Sequence, residues 1–99
     1  MKKITTDELQ NRIESGEQLR IVDVRESDEV AAGMIPGAVH IPLGEIADRA
    51  GEFESSQPYY LVCRSGARSG RATEFLQAQG IDVTNVEGGM LNWNGETQA

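Results

Sequence analysis

The sequence predicts an α/β protein, a small parallel β-sheet of about five strands flanked by helices on both faces. Short β-branched and apolar runs recur along the chain, and stretches of helical or turn-rich pattern separate them. Leu19–Val24 has the composition of a buried strand, and Tyr59–Val62 is a short apolar run of strand type. The length of 99 residues suits one domain with one modest core, so residues 1–99 are expected to form a single unit.

Ile4 opens the chain as a short strand, and Thr5-x-x-Glu8 has the spacing of a capping box for a helix with Leu9 and Ile13 on one face. Ser15-Gly16 ends that helix. The strand Leu19–Val24 follows and carries Asp23 and Arg25 at its end. Residues 27–32 form a brief helix stopped by Gly33, and Met34-Ile-Pro-Gly-Ala38 makes a turn before a short strand over 39–41 that Pro42 cuts off. Leu43, Ile46, Ala47 and Ala50 fall at helical spacing over 43–53, in a stretch weakened by Gly44 and Gly51. A polar link, 54–58, leads to the strand Tyr59–Val62. Beyond a compact loop, Ala72, Phe75, Leu76 and Gln79 trace one helical face, with Gly80 just past the helix end. The last strand is expected over 81–86. Gly88-Gly89 then turns into a short segment ending near Trp93, which is expected in the core with Phe75 and Leu76, and residues 94–99 are expected to fray.

The formal net charge of −7 disfavours nucleic acid and anionic membrane surfaces as partners. No apolar run approaches the roughly 20 residues that span a bilayer, and Lys2-Lys3 leads into polar residues rather than a secretory apolar region. One cysteine cannot form an internal disulfide, so the expected location is cytoplasmic. The charge is unevenly spread. No carboxylate occurs between Glu54 and Glu74, while Arg64, Arg68 and Arg71 all fall there beside Cys63. Such a local balance points to an anionic ligand.

Strand, thiol, loop and helix start follow one another from Tyr59 to Gln79. A helix N-terminus offers unpaired N–H groups and partial positive charge, which favour a thiolate over a thiol. Cys63 is therefore a candidate nucleophile, at the carboxyl end of a strand where α/β folds bind ligands. Gly66 can take positive φ and turn successive N–H groups inward, and Ser65 and Ala67 are small enough for that path. Arg64 and Arg68 suit an oxyanion or a persulfide charge, although either can instead face solvent or pair with a carboxylate. Arg71, a turn further on, is expected to be peripheral. The only histidine, His40, sits in the Pro-Gly-Ala-Val-His-Ile-Pro segment and is expected to be structural rather than a base for Cys63.

Four segments in order resemble the rhodanese-like family: Asp23-Val-Arg-Glu26, Gly33-Met-Ile-Pro-Gly-Ala-Val-His-Ile-Pro42, Val62-Cys63-Arg-Ser-Gly-Ala-Arg-Ser69 and Glu87-Gly-Gly-Met-Leu-Asn-Trp93. The chain differs from the family's usual residues at Val30, Met34 and His40. The resemblance implies a single-domain sulfurtransferase of thiosulfate type, with Cys63 carrying a persulfide and Arg64, Ser65, Gly66, Ala67, Arg68 and Ser69 as its active-site loop. It favours polar structural contacts for Asp23 and Arg25, which could otherwise line the pocket. The implied partners are a small anionic sulfur donor, thiosulfate or a persulfide, and a thiophilic acceptor such as cyanide, a thiol or a protein. No cofactor and no metal are expected. A persulfide relay and a non-catalytic rhodanese-like binding module are the alternatives. Cysteine-based phosphatases place five residues between cysteine and arginine, whereas four separate Cys63 from Arg68 here, so a phosphate should fit poorly.

Overall fold

The computed structural model describes residues 1–99. Strands β1 (Lys2–Thr5), β2 (Arg20–Asp23), β3 (Val39–His40), β4 (Tyr59–Val62) and β5 (Val83–Glu87) form one sheet in the order β1-β5-β4-β2-β3. Every pairing is parallel, with Asp23 opposite Val62 and Asn85 opposite Leu61. Helices α1 (Thr6–Glu14), α2 (Ser27–Ala31), α3 (Ala67–Ala78) and α4 (Gly89–Asn92) connect or follow the strands. The expected α/β class and strand number are those observed.

Alternation along β4 builds two cores. Tyr59, Leu61 and Cys63 pack on one face with Val22, Val24, Ala72, Leu76 and Val83. Tyr60 and Val62 point to the other face, against Ile4, Leu9, Ile21 and Val86. Central β4 is thus buried on both sides, as its unbroken apolar sequence requires. Helix α1 starts at the expected capping box, in which the Glu8 N–H donates to Thr5 Oγ1 at 3.1 Å.

Three expectations about packing change. Residues 43–53 do not form one helix but two single 3₁₀ turns, Leu43–Glu45 and Ala50–Glu52, because Gly44 and Gly51 lower helix propensity and Ile46 and Phe53 anchor to the core independently. The buried stripe of α3 runs through Ser69, Ala72, Thr73 and Leu76, leaving Phe75 40% exposed and Gln79 at the surface. Its two hydroxyls tolerate burial because each is hydrogen-bonded: Thr73 Oγ1 donates to the Ser69 carbonyl at 2.7 Å, and Ser69 Oγ to Asn85. The end of the chain is also tied down. Met34 and Gln98 exchange two backbone hydrogen bonds of 2.8 Å, and a partly buried Trp93 donates from Nε1 to the Glu96 carbonyl at 3.0 Å.

Candidate active site at the cysteine loop

The site begins where β4 ends. Cys63 follows Val62 and is fully buried, and three residues later the chain enters α3 through Gly66, whose φ of +104° lies in the left-handed region. That turn directs the Gly66 N–H onto Cys63 Sγ at 3.0 Å. Ser69, one turn into α3, places its Oγ 3.3 Å from the same sulfur. Burial pushes the thiol up, but the Ser69 hydroxyl and the backbone N–H groups of Ser69, Gly66 and Ser65 outweigh it, so Cys63 lies below its ordinary range.

The loop is held by segments distant in sequence. From β5, buried Asn85 donates through Nδ2 to the Gly66 carbonyl at 3.1 Å and accepts from Ser69 Oγ at 2.5 Å. From α4, the N–H groups of Met90 and Leu91 donate to the carbonyls of Cys63 and Arg64 at 2.9 and 3.0 Å. This docking requires Gly89: a Cβ there would stand 2.4 Å from the Cys63 carbonyl oxygen and 2.6 Å from that of Arg64. The Gly88-Gly89 turn therefore lets α4 seat on the cysteine loop, a role that only tertiary structure assigns. Asn85 likewise carried no sequence signal beyond being a polar residue in a strand pattern.

The arginines separate into three situations. Arg68 makes a two-pronged ion pair with Glu29 of α2, at 2.7 and 2.8 Å. Its charge is thus engaged, and the carboxylate-free interval of the sequence is filled from 39 residues away. Arg64 is exposed and has no carboxylate partner; it borders a cleft of about 310 Å³ with Arg25, Glu29, Ala32, Met90 and Leu91. Arg71, also exposed, lies on the opposite side of the loop near Lys3 and Glu74. Ser65 and Ala67 are exposed at the loop surface.

Asp23 and Arg25 form a buried pair. Arg25 donates from Nε to both carboxylate oxygens at 3.0 and 3.1 Å and from Nη2 to Oδ2 at 2.8 Å. Its Nη2 also donates to the Gly33 carbonyl at 2.8 Å, which joins the end of β2 to the turn after α2. His40 Nε2 lies 2.7 Å from the Arg25 carbonyl oxygen and so completes this early-loop network rather than facing the thiol. An apolar cavity of about 280 Å³ lined by Leu19, Val39, Phe53 and Tyr59 lies at the other end of the strands, away from Cys63. No cluster of three or more His, Cys, Asp or Glu side chains is placed to hold a metal ion.

The Glu29–Arg68 pair supplies a pH test. Hydrogen bonds from Arg68 and from the Glu26 N–H hold the Glu29 carboxyl at about 2, below its ordinary 4.5. Because the folded state lowers this value, the pair's contribution is complete above pH 4.5 and is lost as pH falls toward 2. Glu29→Gln is expected to cost about 1 kcal/mol in urea unfolding at neutral pH. The difference from the unsubstituted protein should shrink steadily below about pH 4. A pH-independent difference would refute the assignment.

A parallel α/β sheet with a cysteine cradled by N–H groups at a strand-to-helix junction defines a class of thiol-centred domains. Within it, the rhodanese-like domain family matches residues 5–96, and the chain belongs to that family. Bacillus subtilis YtwF is 46% identical over 98 residues, covering 99% of this chain and 95% of that protein. The thiosulfate sulfurtransferase GlpE of Pseudomonas savastanoi is 34% identical over 93 residues, covering 93% of this chain and 86% of GlpE. The crystal structure of a rhodanese-like domain protein from Staphylococcus aureus superposes with a TM-score of 0.91 at 48% identity, covering 97% of this chain and 94% of the other. No helix is long and apolar enough to cross a membrane.

Proposed function

We propose that this chain is a sulfurtransferase that moves a sulfane sulfur through a persulfide on Cys63. The observation that carries the reading is the cradle itself: a buried sulfur that accepts from the Gly66 N–H at 3.0 Å, at the start of a helix and with no histidine base in contact. The Cys63 thiolate attacks the outer sulfur of thiosulfate, the sulfur–sulfur bond of the donor breaks and sulfite leaves. The charge of the persulfide then rests on the outer sulfur. Cyanide or a thiol attacks that sulfur, the persulfide bond breaks, and the thiolate is regenerated.

Arg64, which belongs to the loop itself, is the arginine assigned to the donor's sulfonate, since Arg68 is occupied by Glu29 and Arg71 borders a separate hollow on the Ser65–Ala67 side of the loop. The similarity to GlpE supports thiosulfate as one donor. One feature also favours transfer to or from a protein: Leu91, 62% exposed, stands on the cleft beside Met90 and Arg64, an apolar and cationic rim suited to a macromolecular partner.

Intact-mass measurement tests the reading. Treatment with thiosulfate should add one sulfur atom per chain, and cyanide should remove it with release of thiocyanate. Absence of any Cys63-dependent mass gain with thiosulfate and with a small-molecule persulfide would sink it.

A further inference from the structure

Ser69 has one hydroxyl proton and two acceptors facing it. Its Oγ is 2.5 Å from Asn85 Oδ1 and 3.3 Å from Cys63 Sγ. Asn85 cannot turn its amide over, because Nδ2 donates to the Gly66 carbonyl at 3.1 Å and an oxygen there would face another oxygen. With Cys63 protonated, the groups satisfy one another in sequence: the Cys63 S–H donates to Ser69 Oγ, and Ser69 O–H donates to Asn85 Oδ1. Once the thiol proton has left to water, Ser69 must turn its proton to the sulfur. Asn85 Oδ1 then loses its donor in a residue only 5% exposed. In a persulfide the charge sits on the outer sulfur and Sγ carries no proton, so Ser69 can return to Asn85.

We propose that Asn85 is a positioning residue that competes with Cys63 for the Ser69 proton. It thereby favours the thiol and the persulfide over the bare thiolate. Asn85 does not touch the reacting sulfur; it acts through Ser69. The consequence is a thiolate that is formed but incompletely quenched, and a loaded state whose polar groups are all paired. Arg68 of α3, paired with Glu29 of α2, is the charge felt at the sulfur; Arg64 lies in the loop, the Asp23–Arg25 pair lies at the end of β2, and Lys3, Arg71, Glu74 and Glu87 border the hollow beside Gly66 and Asn85. The substitutions below leave all of them in place.

The inference rests on reading Cys63 as the sulfur carrier, but its test follows protonation rather than turnover, so the two can fail separately. The rate of Cys63 alkylation by iodoacetamide, followed against pH, gives the midpoint of ionisation. Asn85→Ala should lower that midpoint by about half a unit to one unit, because the Ser69 hydroxyl, freed from Asn85, then donates its hydrogen bond to the thiolate. Ser69→Ala should raise it, and Asn85→Ala added to Ser69→Ala should leave it where Ser69→Ala put it. A merely structural Asn85 predicts the opposite sign, since a loosened loop loses its N–H contacts with sulfur. Should Asn85→Ala not fold, the unsubstituted protein still answers. The NMR signals of the Asn85 side-chain amide should titrate with the Cys63 midpoint, and the response should vanish in Ser69→Ala. An unchanged or raised midpoint in Asn85→Ala, or an amide indifferent to Cys63 ionisation, overturns the proposal.

Discussion

Cys63→Ser is expected to lower sulfur transfer from thiosulfate to cyanide by at least ~10³-fold and to abolish the mass gain on donor treatment. The substitution exchanges sulfur for oxygen at a fully buried position and leaves the surrounding backbone unaltered. Serine still receives the Gly66 N–H and sits within reach of Ser69. A hydroxyl is not ionised near neutral pH, however, and cannot retain a sulfane sulfur as a persulfide. Stability should change little, by roughly 1 kcal/mol or less, so a thermal melt separates lost chemistry from lost fold. Full turnover in a folded Cys63→Ser variant would show that the sulfur passes elsewhere.

Asp23→Ala is expected to cost about 3–5 kcal/mol of folding free energy, a large part of the 5–15 kcal/mol typical of a small domain. Asp23 is fully buried, and its carboxylate accepts four hydrogen bonds, three from the Arg25 guanidinium and one from the Arg25 N–H at 3.0 Å. Removing it strands a guanidinium that is 7% exposed by residue, with only the Gly33 carbonyl for compensation. Removing both partners should cost less than the two single losses added, because the double variant leaves no unpaired charge. Urea unfolding measures this directly. An Asp23→Ala protein within about 0.5 kcal/mol of the parent would show that the pair does not anchor the early loops.

Both of these sites read from the sequence. The strand-cysteine-loop-helix order around Cys63 is local, so that order follows from residues within one short stretch. The Asp23–Arg25 contact is local as well, and its structural role was the favoured expectation. Arg68 was not legible in the same way. The stretch around it holds no carboxylate, yet Glu29 of α2 reaches it across the fold. The buried face of α3 differs from the apolar spacing for a related reason. Phe75 is apolar enough to be core, but α3 buries Ser69, Ala72, Thr73 and Leu76, and that stripe leaves Phe75 outward.

By itself the sequence determined the parallel α/β class, the five strands and the placement of a lone cysteine before a helix, because strand period, capping box and glycine positions are short-range properties. Only the tertiary structure decided which arginine remains free, what holds the loop, and why Gly89 must lack a side chain. Those answers depend on Glu29, Asn85 and the Met90 and Leu91 N–H groups. Each lies between 16 and 39 residues from the groups it contacts. Parallel strands bring such segments together at one end of the sheet, and no periodicity in the chain records which partners meet there.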